Sequence, residues 1–206
     1  MGMTDKEYRV GRSVLLLPSS HKLDEHRARY KLYDRALPEI VRAISRKYPE
    51  LTAVDIGANV GDSAALICQY QDIPVLCVEG SPFFLEYLRR NLSRLAPSVE
   101  IVPALIGRST GSISQEAMQV REGTATVDVS AAMGPGASGP RDIVVRSLSD
   151  ILRENPRFAH PKFIKSDTDG GDFEIISSSR EVIAASRPII FFEFDPTFRK
   201  DGVKAA

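Results

Sequence analysis

The sequence predicts an α/β fold built on a doubly wound, mainly parallel sheet, and three observations predict it. Short apolar runs of strand length alternate with stretches of helical periodicity, the first clear run ends in a glycine-rich turn, and two strand-helix repeats fall within residues 51–104. Strands joined through helices run parallel, and their crossovers are right-handed. A chain of 206 residues can bury roughly 70% of its unfolded surface in one core.

Taken in order, Arg35 to Tyr48 has Leu37, Ile40, Val41 and Ile44 at helical spacing, with Pro38 suited to a first turn and Pro49 ending the pattern. Leu51 to Ile56 is a buried strand leading through glycines into a helix that carries Ala64, Ala65, Ile67 and Cys68. Ile73 to Val78 is a second strand. Ser81 and Pro82 then form a cap and first-turn pair for a helix with Phe84, Leu88, Leu92 and Leu95 on one face. Val99 to Ala104 is the third strand.

Between Gly107 and Pro140 the pattern weakens. Thr124 to Val129 and Ile143 to Val145 are expected to form a small hairpin, and Met133 to Pro140 a loop. Lys162 to Ser166 reads as the fourth strand, Asp172 as a helix cap, Phe173 to Ala185 as one helix and Pro188 to Phe194 as the fifth strand. Residues 1–50 thus form an N-terminal extension with a leading helix, and residues 51–206 the main domain, with an insertion at about 107–142.

Lysine plus arginine equals aspartate plus glutamate at 27 each, so no net field draws the chain to nucleic acid or to an acidic membrane. The basic residues between Arg27 and Lys47 alternate with apolar ones and read as a solvated helix face. No run approaches the roughly 18 apolar residues of a membrane span. Val14 to Leu17 is too short for a signal-peptide core, which leaves a cytoplasmic location. Cys68 and Cys77, in apolar surroundings, are expected as buried free thiols.

The chemistry concentrates in Val54-Asp-Ile-Gly-Ala-Asn-Val-Gly-Asp62, where a strand ends in a carboxylate and turns through two glycines into a helix. A dinucleotide fingerprint would bring three glycines to a pyrophosphate. Here Asn59 replaces the middle glycine, and Asp55 would repel pyrophosphate but suit the cationic end of a methionine-like ligand. Glu79, 22 residues after Gly57, ends the next strand where an acid accepts from both ribose hydroxyls. This combination favours S-adenosylmethionine; alternatively Asp55 and Glu79 cap helices on a scaffold without a ligand.

The blocks Val54-Asp-Ile-Gly-Ala-Asn-Val-Gly-Asp-Ser-Ala64, Val78-Glu-Gly-Ser-Pro82, Ile164-Lys-Ser-Asp-Thr-Asp-Gly170 and Phe191-Phe-Glu193 resemble FkbM-type methyltransferases over about residues 35–195. The resemblance implies the Rossmann-like class I methyltransferase fold, S-adenosylmethionine as cofactor and O-methylation of a small molecule or sugar. It implies that Asp55, Gly57, Asn59 and Gly61 surround the amino-acid part of the cofactor and that Glu79 takes the ribose, with Ala58, Gly80 and Ser81 completing the cofactor-binding set. The family usually has glutamate at the position of Asp169. Class I methyltransferase sheets usually continue for two strands beyond the fifth, which this sequence is expected to lack, and an open edge would call for cover by a second subunit or by Tyr8 to Leu17.

Methyl transfer to a hydroxyl benefits from a general base. Asp167 is the first candidate, with Asp169 and Glu193 behind it; Asp169 and Asp172 also read as turn and helix caps. Asp167-Thr168-Asp169 would alternatively suit a metal-dependent nucleotide-sugar transferase, and a non-catalytic cofactor-binding module is a third reading. His21 and His26, five apart, are poorly spaced for one helical face, so no metal site is expected there, although His21 could meet the acceptor on a lid.

Overall fold

The computed structural model describes residues 5–31, 34–127 and 142–193. The chain opens with an antiparallel hairpin, β1 (Asp5–Val10) and β2 (Ser13–Pro18), turned at Gly11, whose φ is +56°. Helices α1 (Leu23–Arg29) and α2 (Ala36–Lys47) follow, and α2 buries Leu37, Val41 and Ile44 as their spacing requires. Next come β3 (Ala53–Ile56), the short α3 (Asp62–Ile67), β4 (Val75–Glu79), α4 (Pro82–Asn91) and β5 (Val99–Pro103). Ser81 caps α4 as the Ser-Pro pair predicts, accepting from the Phe84 N–H.

The hairpin docks on α4. Asp5 accepts from Tyr87 at 2.8 Å and pairs with Arg90, and the Asn91 side chain completes both the N–H and the C=O of Leu16, at 2.8 and 3.0 Å. Of the two covers expected for the open edge of the sheet, Tyr8 to Leu17 is therefore not the one used, since the hairpin packs on α4 and not along β12. A polar Asn at the end of α4 decides this, because two buried backbone groups of β2 find their partners there.

The insertion forms β6 (Leu105–Ile106), β7 (Gly111–Ser114), β8 (Met118–Arg121), β9 (Thr124–Val127) and β10 (Asp142–Arg146). Among the described residues, the expected pairing of Thr124–Val129 with Ile143–Val145 is not made. Instead β9 pairs with β8 through the Glu122-Gly123 turn, and β10 runs parallel to β6 and antiparallel to β7. Both turn residues have positive φ, +49° and +108°, which gives a tight two-residue connection. The stretch Met133 to Pro140 lies outside the described residues.

After α5 (Leu148–Glu154) the chain forms β11 (Phe163–Ser166), α6 (Asp172–Ser178), α7 (Arg180–Ser186) and β12 (Ile189–Phe192). The single helix expected over Phe173 to Ala185 is broken at Ser179, in a run of three serines whose hydroxyls compete for backbone groups. Gly171, not Asp172, is the N-cap of α6. The Asp172 carboxylate instead accepts from the Ser166 hydroxyl at 2.6 Å and the Thr168 N–H at 3.4 Å.

The five central strands are all parallel, in the order β12-β11-β3-β4-β5. The chain builds outward from β3 to β5, then returns to lay β11 against the other side of β3. This is a Rossmann-like doubly wound sheet, and the reversal between β3 and β11 opens a crevice at the carboxyl ends of those strands. Alternate side chains go to opposite faces. One face, with Ala53, Val75, Cys77, Val99 and Phe163, packs under the N-terminal hairpin, α2, α3 and α4. The other, with Val54, Ile56, Leu76, Val78 and Ile164, packs against Leu148, Ile151, Leu152, Phe158, Ile175 and Val182. Cys68 and Cys77 are buried and free, as expected.

Candidate functional site

The strand pleat sorts the chemistry onto one face. Asp55 on β3 stands directly opposite Lys165 on β11 and Cys77 on β4. Asp167 is two residues beyond Lys165, and the Glu193 N–H continues the β11–β12 ladder to the Ser166 carbonyl at 3.1 Å. The result is a row of ionisable groups, Asp55, Lys165, Asp167 and Glu193, across the carboxyl ends of three neighbouring strands at the reversal point.

Lys165 lies between two carboxylates, its Nζ 3.5 Å from Asp55 Oδ1 and 3.2 Å from Asp167 Oδ2. Burial works against its charge, but Asp167, Asp55, Asp62 and Asp34 outweigh it and hold the ammonium well above its usual range. Lys165 lowers the Asp167 carboxyl in turn. Asp55 has no exposed surface and is pushed up by that burial. Its Oδ2 accepts from the Ser63 hydroxyl at 2.6 Å, while Oδ1 has no hydrogen-bond donor. Asp167 is hydrogen-bonded to Glu193, an exposed side chain whose local desolvation at the strand ends and proximity to Asp167 raise it to about 8.

The predicted cofactor-binding residues gather at the ends of β3 and β4. The N–H groups of Gly57 and Ala58 both donate to the Val78 carbonyl, at 3.0 and 3.2 Å. Gly57 has φ +75°, and a Cβ there would lie 2.0 Å from the Asp167 carbonyl oxygen, so its glycine lets the turn pass close to the end of β11. Glu79 accepts from the Asn59 N–H at 2.8 Å and the Ser81 N–H at 2.7 Å, binding the turns after β3 and β4 together. Burial raises its carboxyl against the pull of those N–H groups. Ala58, Gly61, Gly80 and Ser81 are buried; Gly57 and Asn59 are half-buried at the surface of the turn.

These turns belong to a methyl-transferring lineage: the methyltransferase FkbM domain matches residues 55–204. The chain is a member of the FkbM methyltransferase family. Among solved structures it is similar to precorrin-6y C5,15-methyltransferase from Geobacter metallireducens GS-15, at 16% identity and a TM-score of 0.41. That similarity covers 69% of this chain and 53% of the other. It is also similar to a protein from Staphylococcus aureus assigned as a caffeoyl-CoA O-methyltransferase, at 14% identity, a TM-score of 0.44, and coverage of 81% and 62%. The chain thus spans less than two thirds of either protein. No curated protein matches it.

Of the three base candidates in this FkbM-family chain, Asp167 and Glu193 touch, whereas Asp169 sits in the following turn with φ +51°. Burial, with Asp167 and Asp172 nearby, raises the Asp169 carboxyl to about 6. Among the described residues no three His, Cys, Asp or Glu side chains are grouped so as to hold a metal ion. No described helix is long and apolar enough to cross a membrane.

Four further residues face this site, two of them, Asp62 and Lys165, inside the family blocks but with no role given by the motifs. Lys165 was hidden inside an apolar strand. Asp34, just ahead of α2, is raised to about 7 by burial and by Asp62, and it feels the charges of Lys165 and Asp167. Asp62, at the start of α3, adds its charge to Asp55 and Lys165.

The fourth, His21, is buried rather than displayed on a lid. Its Nδ1 accepts from the Leu23 N–H at 3.2 Å, which leaves the proton on Nε2, 3.2 Å from Asn59 Oδ1. The Asn59 amide donates onward to the Gly123 carbonyl at 2.7 Å. Asn59 therefore clasps the N-terminal segment and the β8–β9 turn over the glycine-rich loop.

Proposed function

We propose that this chain transfers a methyl group from S-adenosylmethionine to a hydroxyl of a small uncharged molecule or sugar. The observation that carries the reading is the row Asp55, Lys165, Asp167 and Glu193 beside the glycine turn of an FkbM-family domain. The residues fit the cofactor. Asp55 Oδ1 is a buried acceptor 3.5 Å from the Lys165 ammonium with no hydrogen-bond donor among the described residues, and the carboxylates facing that ammonium outnumber it, which complements a cation. Glu79 spends acceptor capacity on Asn59 and Ser81, yet a carboxylate offers about four lone-pair sites, so capacity for a ribose hydroxyl is left. When bound, the cofactor supplies an electrophilic methyl on a sulfonium.

Transfer of that methyl to an acceptor hydroxyl would release the hydroxyl proton, which a carboxylate of the row would take up. Asp167, held ionised beside Lys165, is a weak proton acceptor at neutral pH. Glu193, raised to about 8, is much better matched as the base, a reversal of the order in which the sequence ranks the two. The same crowd of carboxylates disfavours phosphorylated or carboxylated acceptors, since like charges repel in a partly desolvated crevice.

The test is transfer of isotopically labelled methyl to a panel of neutral polyols and sugars, followed against pH. The rate should rise with pH and level off above about 8, as Glu193 loses its proton. Glu193→Gln should lower kcat by about 10²- to 10⁴-fold without weakening cofactor binding. A full rate in that variant would remove Glu193 from the mechanism.

A further inference from the structure

The group with no assigned task in this site is Lys165. Its side chain is 5% exposed, and its ammonium bridges a carboxylate under the glycine turn and another at the crevice. As packing alone this is a poor choice, because a buried ion pair is commonly matched or bettered by apolar side chains of similar volume. Its neighbours on the same strand, Phe163 and Ile164, are apolar and fully buried or nearly so. The lysine also stands in register with Asp55, so the strand pairing alone sets its place in the row.

We propose that Lys165 is a positioning residue for the proton-accepting pair: its ammonium pins the Asp167 carboxylate against the Asp55 strand and thereby leaves the mobile proton to Glu193. Two touching carboxyl groups cannot both ionise easily, and the one nearer a cation is the one that stays charged. Lys165 faces Asp55 from β3, Asp62 from the start of α3, Asp34 from the segment before α2, and Asp167 from its own strand. Glu193 faces Asp167, Asp169 and Asp172. The lowered Asp167 and raised Glu193 agree with the geometry. The assignment rests on the methyl-transfer reading for its purpose, but not for its test.

That test is a carboxyl-carbon NMR titration of the whole chain, with Asp167→Asn and Glu193→Gln used to assign the two signals. In the wild type, Glu193 should titrate near 8 and Asp167 below its ordinary value. In Lys165→Met, Asp167 should rise by about one to three pH units and compete for the proton of the pair, so the acid limb of the rate profile, which Glu193 sets, should move away from its wild-type position near 8. Lys165→Arg should restore both. A structural role alone would lower the rate and leave the limb where it was, and an unmoved Asp167 signal in folded Lys165→Met would overturn the proposal. Should Lys165→Met not fold, the wild type decides: Asp167 and Glu193 titrating together in the ordinary range would equally overturn it. The titration needs neither cofactor nor acceptor, so it can succeed where methyl transfer fails, and the reverse.

Discussion

The two faces of the central sheet are made by the same strands, one residue apart, and they bury opposite things. The face under Leu148, Ile151 and Phe158 carries Val54, Ile56, Leu76, Val78 and Ile164 and is apolar almost throughout. The face under α2, α3 and α4 carries Asp55, Glu79, Lys165 and Asp167 toward the carboxyl ends of its strands, above an apolar floor of Ala53, Val75 and Phe163. Because the strand period is two, a one-residue slip would exchange the faces and bury the charges in the apolar layer. The apolar face therefore sets the register that brings Lys165 opposite Asp55, and the crevice inherits its geometry from a layer that takes no part in the chemistry.

The sharpest way to separate the faces is to damage the apolar one. Phe158, with no exposed surface, belongs to that apolar layer. Phe158→Ala should cost about 3–5 kcal/mol in stability, measured by chemical denaturation. Below its unfolding transition the variant should keep the wild-type pH dependence of methyl transfer. A change in that dependence would mean that the faces are not independent.

A smaller effect is expected at the clasp over the glycine turn. Burial holds His21 below its usual range. The folded protein then binds fewer protons there than the unfolded chain, so the contribution of the clasp is complete above about 6.5 and is lost as pH falls below it. Protonation would set an Nδ1–H against the Leu23 N–H and forfeit one buried hydrogen bond, about 1 kcal/mol. Thermal unfolding at two pH values should register that loss in the wild type and not in His21→Gln. An equal acid sensitivity in both proteins would assign it to the carboxylates instead.

The same contrast explains what could be read from the sequence. The parallel sheet was legible because Leu51–Ile56, Ile73–Val78 and Lys162–Ser166 are apolar runs set between helical periods, and the turn was legible because Asp55, Gly57 and Gly61 sit at its fixed offsets. Lys165 stands in the Ile164–Gly170 family block, but its role was not legible, since a lysine in a short apolar run looks like an outward-facing residue until its register partner is known. The clasp was also hidden: it joins residues 21, 59 and 123 through single hydrogen bonds, and neither Glu122-Gly123 nor His21 belongs to a recognisable pattern. The docking of the N-terminal hairpin on α4 rests likewise on side-chain bonds across long sequence gaps, those of Asn91 to Leu16 and of Tyr87 and Arg90 to Asp5.

The central claim is that the charged face and its glycine turn form an S-adenosylmethionine site. Isothermal titration of the folded chain with S-adenosylhomocysteine, with NAD as the parallel control, tests it most directly. Micromolar binding of S-adenosylhomocysteine and none of NAD is the predicted result. No binding to a cooperatively folded sample, or equal binding of NAD, would contradict it.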